Sequence, residues 1–150
     1  MAKFLVPSTD SVNQLLEMVV QNGTAAEGAP GEAAYAAEFV DDEAQLVSVC
    51  LADLRASAAL GCALSMIPPA GAEDMCKEGQ LSEMAEANLY EVMNIFSTLF
   101  MNNDTPHLKL ERVVPAGESE AVQALADCDN ASFELELAAY GKGIVSFYTH

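Results

Sequence analysis

Two polar side chains, Glu91 and Asn94, stand three apart in the largely apolar stretch LYEVMNIFSTLF at residues 89–100. Residues three apart on an α-helix are neighbours on its surface, so both side chains would point outward together. A carboxylate accepts hydrogen bonds from an ammonium group of a partner, and a carboxamide both donates and accepts, so it can hold and orient a water molecule. This pair therefore suits a hydrolysis that works by positioning.

The spacing of Glu91 and Asn94 is weak support by itself, because exposed Glu and Asn occur on any solvated helix face. An acidic residue three before Asn also occurs at Asp10/Asn13 and at Asp127/Asn130, where composition alone would give on the order of one such pair. The three pairs can be distinguished only by the helices, strands or loops in which they lie.

The apolar residues around Glu91 and Asn94 recur with the helical period and predict one long helix over about 80–101. They form one stripe, which consists of Leu81, Ala85, Leu89, Val92, Phe96 and Leu99, widened by Met93 and Phe100. On a helical wheel Glu91 and Asn94 lie toward the opposite edge, beside Ala87 and Thr98. The methionines, including Met84 and Met93, are interpreted as core filler.

The remaining patterns predict the element order α-β-β-α-α-β-(α)-β-β. The segments before the long helix are a helix over 8–21, a β-hairpin from strands 34–40 and 44–52, and a helix over 53–67, capped by Asp53 and stopped by Pro68 and Pro69. After it come a strand at 107–114, a short helix at 118–125, and a hairpin over 132–150 whose turn is Gly141–Gly143. Small residues in 53–67 would let another element approach closely. This order predicts one α+β domain over 1–150, an antiparallel sheet packed with helices.

Composition excludes several classes of function. The 150 residues carry 6 Lys+Arg against 23 Asp+Glu, a formal charge of −17, so neither nucleic acid nor an anionic membrane is an expected partner. The apolar run Phe4–Val6 is too short for a signal sequence, and no run approaches about 18 residues, which predicts a cytoplasmic protein.

The cysteines and histidines predict no metal or redox site. The four cysteines contain no C-x-x-C pair, and the histidines, His107 and His150, stand alone. Besides the pair on the long helix, the remaining charge cluster is Asp41–Glu43, and it is interpreted as the turn of the first hairpin.

This arrangement resembles the CheC/CheX/FliY family. There a helix carries Asp/Ser-x-x-x-Glu-x-x-Asn, and a proline ends a strand some twenty residues later; Glu91 and Asn94 match that motif, and Pro115 follows Asn94 after twenty intervening residues. The resemblance covers roughly residues 8–150, and its single motif helix is more similar to CheX than to CheC, which has two such sites. Ala87 stands at the Asp/Ser position, and Tyr90 stands where a small residue is common before the Glu.

The resemblance implies a phosphatase that acts on the phospho-aspartate of a CheY-type response-regulator receiver domain. Glu91 would bind the active-site lysine of the receiver, and Asn94 would orient the attacking water. The divalent metal would belong to the receiver, so no cofactor of this chain is expected, and a homodimer is expected. The alternative is a non-catalytic interaction or scaffold module that binds a receiver domain or another signalling partner, which Ala87 and Tyr90 favour. A third, weaker interpretation is a small-molecule-binding domain or an enzyme of unrelated chemistry.

Overall fold

The protein, a computed structural model, is described over residues 4–20 and 22–150. The strands are β1 (Thr24–Glu27), β2 (Ala33–Val40), β3 (Leu46–Asp53), β4 (Lys109–Pro115), β5 (Asp129–Glu136) and β6 (Lys142–Thr149). The α-helices are α1 (Thr9–Val19), α2 (Leu54–Ala63), α3 (Pro69–Glu78) and α4 (Glu83–Phe96). The strands form one six-stranded sheet in the order β1-β5-β6-β3-β2-β4, and every pairing is antiparallel. The predicted α+β architecture is confirmed.

A cluster of phenylalanines fixes the end of α4 on the sheet. Phe147 in β6 lies with its ring centroid 5.8 Å from Phe96, 5.7 Å from Phe100 and 5.9 Å from Phe133, and Phe39 lies 5.2 Å from Phe100. Tilted and edge-to-face pairs at these separations are favourable. Since burial of each such side chain contributes about 1.5–3 kcal/mol, this cluster holds α4 firmly against the strands.

Helix α4 is shorter than the predicted helix over 80–101. It begins after the N-cap Ser82, whose hydroxyl accepts a hydrogen bond from the Ala85 N–H at 3.2 Å, and its last turn tightens into a 3₁₀ segment, Ser97–Phe100. The Ser97 hydroxyl donates to the Asn94 carbonyl at 2.6 Å, a local bond that accompanies this change. The predicted apolar stripe is confirmed, because every member is buried.

A close contact between α2 and α4 sets which side of α4 faces outward. A Cβ at Gly61 would lie 2.7 Å from the Ala85 carbonyl oxygen, so only glycine allows this approach. The Asn88 amide donates to the Gly61 carbonyl at 2.8 Å across the same contact. The predicted close packing of the small-residue helix is confirmed.

Helix α3 differs from the sequence prediction, in which Pro68 and Pro69 only end the preceding helix. Pro69 is instead the first residue of α3, a position where proline is well suited because no intrahelical partner awaits its missing N–H. Helix α2 ends earlier by its own C-terminal turn. Met66 adopts a φ of 58°, and the Ile67 N–H bonds the Cys62 carbonyl at 2.9 Å.

The turn of the last hairpin was also placed wrongly. Glu136 pairs with Lys142, so Lys142 and Gly143 belong to β6, and the connection is Leu137–Gly141. The connection contains a 3₁₀ turn, Ala138–Tyr140, in which the Tyr140 N–H donates to the Leu137 carbonyl at 3.0 Å. The Leu137 N–H donates to the Gly141 carbonyl at 2.9 Å and closes the hairpin. The predicted short helix at 118–125 is a 3₁₀ segment, Glu120–Ala124.

Gly143 has a packing role, because α2 crosses β6 directly above it. A Cβ at Gly143 would overlap the backbone of Ala56 in the first turn of α2. We expect Gly143→Ala to lower the free energy of unfolding by about 1–3 kcal/mol. Denaturant unfolding measures this, with Gly117→Ala as the control because nothing lies within 4 Å of a Cβ there. Equal midpoints for the two variants would contradict this packing role.

A buried carboxylate, that of Glu38 in β2, forms hydrogen bonds with β4 and with the segment that follows β4. Glu38 in β2 accepts hydrogen bonds from Arg112 Nε at 2.9 Å, from Arg112 Nη2 at 3.2 Å and from the Ser119 hydroxyl at 2.6 Å. Burial acts to raise the pKa of Glu38, but the bonds from Arg112 and Ser119 and the positive charge of Arg112 outweigh it, so this pKa is lowered.

This lowered pKa predicts a pH-dependent contribution to stability. The unfolded carboxyl group protonates near its ordinary pKa of about 4.3, so the contribution of Glu38 is present above that pH and is lost as the pH falls through the lower folded pKa. We expect Glu38→Gln to cost about 1–3 kcal/mol at pH 7 and progressively less in acid. Denaturant unfolding of both proteins from pH 7 to pH 3 measures the difference. A difference that stays constant with pH would contradict the ionised state of Glu38.

Candidate functional site

Glu91 and Asn94 lie together on the exposed side of α4, as the sequence predicts. Within the described residues, Glu91 makes no ion pair and the Asn94 carboxamide makes no hydrogen bond. Residues three apart on a helix hold their Cβ atoms about 5–6 Å apart. Because α4 is fixed by its buried stripe and by α2, both groups are presented on a rigid element with their hydrogen-bonding capacity unused.

The other two acidic-x-x-Asn pairs have structural uses. The Asn13 amide donates to the carbonyls of Thr9 and Ala25, both at 3.0 Å, and its oxygen accepts the Ala25 N–H at 2.8 Å, which joins α1 to β1. The Asn130 amide donates to the Cys128 carbonyl at 3.3 Å. Among the residues that the structure describes, Asn94 is the one of these three asparagines whose carboxamide makes no hydrogen bond. The sequence could not distinguish them, but these hydrogen bonds do.

The exposed positions of α4 form one continuous surface, which we call the outer face of α4. It consists of Glu83, Met84, Glu86, Ala87, Tyr90, Glu91 and Asn94. At about 100° per residue, Ala87 lies between Glu91 and Asn94, and its methyl group leaves both uncovered. Met84 lies beside Glu91, and Tyr90 lies on the other side of Asn94. The interpretation of Met84 as core filler is wrong, whereas Met93 is buried as predicted.

The charge on the outer face of α4 is uniformly negative. Glu83, Glu86 and Glu91 are exposed there, and the sequence contains no Lys or Arg between Lys77 and Lys109. With a formal charge of −17 for the whole chain, no neighbouring cations on this helix offset them. The face therefore attracts a cationic surface over distances of about a Debye length.

Pro115 ends β4, as the family resemblance implies, and lies near the first half of α4. It pairs with Tyr35 in the sheet. Together with Glu86 of α4 and Glu118, these residues line an open cleft of about 340 Å³. Pro115 therefore borders the side of α4 that carries Glu86, rather than the end that carries Asn94.

The thiols offer no alternative nucleophile among the described residues. Cys128, which contacts the His150 ring at 3.6 Å, has a pKa raised by burial and by the charges of Asp127 and Asp129. Burial also raises the pKa of the Cys50, Cys62 and Cys76 thiols. Since the thiolate is the reactive form, these cysteines are unreactive near neutral pH.

The acidic cluster Asp41–Glu43 is the turn of the first hairpin, as interpreted from the sequence. The Asp41 carboxylate accepts the N–H groups of Glu43 at 2.9 Å and of Gln45 at 3.0 Å. In residues 4–20 and 22–150, no group of three His, Cys, Asp or Glu side chains is placed to hold a metal ion. No helix in the same part of the chain is long and apolar enough to cross a bilayer.

Comparison with known proteins finds similarity in structure and not in sequence: no family model and no curated protein matches the chain. It is similar to a chain of the CheX–CheY–BeF3–Mg complex from Borrelia burgdorferi, with a TM-score of 0.55 and 12% identity over 93% of this chain and 92% of that one. Thermotoga maritima FliY gives 0.53 and 10% identity over 94% and 89%. The FliM middle domain from H. pylori gives 0.56 and 9% identity over 94% and 82%.

The chain has the CheC/CheX/FliY fold. This confirms the fold family that the order of elements and the Glu91/Asn94 helix indicated. CheX, FliY and FliM all have this fold, so the CheC/CheX/FliY fold by itself assigns no activity to the chain. Any activity of this chain must therefore come from particular residues, and the outer face of α4 presents the candidates.

Proposed function

We propose that this protein is a phosphatase of the phospho-aspartate in a response-regulator receiver domain. The observation that carries the proposal is the unengaged carboxamide of Asn94 beside the unpaired carboxylate of Glu91, on a helix whose rotation is fixed. A carboxamide can orient a water molecule only if its donor and acceptor are not already hydrogen-bonded to other groups of the protein. The similar CheX structure, solved as a complex with CheY, supports a CheY-type receiver as the partner.

In the proposed reaction the chain supplies positioning and the receiver supplies the reacting group. The Glu91 carboxylate accepts hydrogen bonds from the lysine ammonium of the receiver, and Asn94 enters the receiver pocket and aligns a water with the phosphorus. The water oxygen bonds to phosphorus as the bond from phosphorus to the aspartyl oxygen breaks. The products are a free carboxylate and inorganic phosphate, which keeps both protons of the water. No nucleophile or general base from this chain is required.

The test is phosphate release from Mg²⁺-loaded receiver domains that have been labelled with acetyl phosphate. A panel of CheY-type receivers is compared with and without the protein. We expect release faster than spontaneous hydrolysis for at least one receiver. Absence of any acceleration across the panel would contradict the phosphatase.

A non-catalytic docking module is the second candidate function, and Ala87 and Tyr90 favour it. The exposed methyl of Ala87 offers no carboxylate or hydroxyl beside Glu91 and Asn94, and the bulky ring of Tyr90 is exposed on the other side of Asn94. Such a module would bind the phosphorylated receiver and leave its hydrolysis rate unchanged. Binding together with rate measurement therefore separates the two candidates.

A further inference from the structure

Two apolar side chains are exposed on either side of the Glu91 and Asn94 pair. Met84 is 61% exposed and Tyr90 is 40% exposed, and both belong to α4. Met84 precedes Glu91 by two helical turns on nearly the same line, whereas Tyr90 lies across Asn94 on the wheel. The two groups that can do chemistry are thus bordered by apolar surface on both sides.

Apolar side chains of this kind are typical of contact surfaces. Aromatic residues and methionine are enriched at protein interfaces, where they supply buried area at the centre of a polar rim. Here the rim is acidic, because Glu83 and Glu86 lie on the same face and no Lys or Arg occurs in the helix. The surface that fits it is an apolar patch bordered by Lys or Arg side chains, since like charges facing each other across an interface are costly.

We propose that Met84 and Tyr90 determine which receiver domain this protein accepts, by packing on an apolar patch that basic residues border on the receiver. The inference rests on the proposed function, because it concerns the same face of α4. Glu91 and Asn94 recognise groups in the receiver pocket, whereas Met84 and Tyr90 contact the surface around it. Receivers that lack the apolar patch or its basic border are rejected.

Steady-state kinetics and binding test this division of roles. The kinetic measurements use the receiver that is dephosphorylated fastest. The binding measurements use the same receiver loaded with Mg²⁺ and beryllofluoride. If no receiver is dephosphorylated, the ligand is the one that binds most tightly in that form. We expect the double variant Met84→Ala/Tyr90→Ala to raise KM and Kd about tenfold with kcat at saturation kept. Met18→Ala is the matched control, since Met18 is 72% exposed and belongs to α1 rather than to α4.

Because Tyr90 is partly packed, its replacement also removes contacts within the protein. A second variant therefore leaves Tyr90 unchanged and replaces only the exposed Met84. Met84→Lys keeps a good helix former at an exposed position and sets a cation against the basic border of the receiver. We expect it to weaken binding further than Met84→Ala, and to weaken it most at low ionic strength. Circular dichroism and thermal unfolding confirm that each variant is folded.

The outcomes separate this inference from the proposed function. If Asn94→Ala abolishes turnover while the Met84 and Tyr90 variants keep the wild-type KM and Kd, the inference is overturned and the phosphatase stands. If no receiver is dephosphorylated but one binds in a manner that depends on Met84 and Tyr90, the phosphatase fails and the inference stands. If no receiver binds, both are overturned.

Discussion

Replacing Asn94 by alanine is expected to reduce receiver dephosphorylation at least about 100-fold, to near the spontaneous rate. The substitution removes the one group proposed to align water with phosphorus, and loss of a positioned hydrogen-bonding group costs about 10²–10³ in rate in other enzymes. Stability should change little, because the Asn94 side chain makes no hydrogen bond in the described structure and alanine is the better helix former. Phosphate release at saturating receiver, with the unfolding midpoint of both proteins, measures the effect.

The matched control for this variant is Asn103→Ala. Asn103 is exposed in the loop after the 3₁₀ segment, and it carries the same amide but is not one of the residues of the outer face of α4. It should keep the wild-type rate. Turnover at the accelerated wild-type rate in Asn94→Ala would contradict the proposed water-orienting role. If the wild-type protein does not accelerate hydrolysis and Asn94→Ala binds the receiver as tightly as the wild type, the docking module is the better description.

The fold could be predicted from the sequence wherever one periodicity dominated. The stripe Leu81–Leu99 and the alternating strands identified α4 and most of the sheet, because burial of one face imposes a fixed spacing on apolar residues. The errors fall where local chemistry permits two conformations. Pro69 can end a helix or begin one, and only the separate C-terminal turn of α2 around Met66 decides that it begins α3. Gly143 signals a turn by type, yet here it serves the contact with Ala56.

The sequence predicted that Glu91 and Asn94 lie on the exposed side of α4, but it could not distinguish this pair from the other two acidic-x-x-Asn pairs. Three pairs shared the same spacing, and the hydrogen bonds that occupy Asn13 and Asn130 come from strands and loops distant in sequence or from local backbone geometry. No periodicity contains that information. Met84 was misassigned because methionine is usually core filler, although its position seven residues before Glu91 places it on the exposed line. The expected homodimer stays a prediction.

Removal of the Glu91 carboxylate is expected to weaken receiver binding about 10- to 100-fold, with kcat at saturation nearly unchanged. A hydrogen bond between charged groups is worth about 1.5–3 kcal/mol, and this one forms on docking and persists through the reaction. Glu91→Ala and Glu91→Gln together separate charge from bulk, because glutamine keeps an acceptor of the same size. Both should raise KM and Kd and reduce the dependence of binding on salt, since one charge contact is lost.

Glu17→Ala provides the matched control for Glu91, because Glu17 is an exposed glutamate on α1. It changes the net charge of the protein by the same amount, so any general effect of the formal charge of −17 on association is shared by the two variants. Only a contact made at Glu91 itself can make them differ. Equal receiver affinity for Glu91→Ala and Glu17→Ala would exclude Glu91 as the docking carboxylate. A lower kcat of Glu91→Ala without a change in KM would instead indicate that Glu91 helps to position the water.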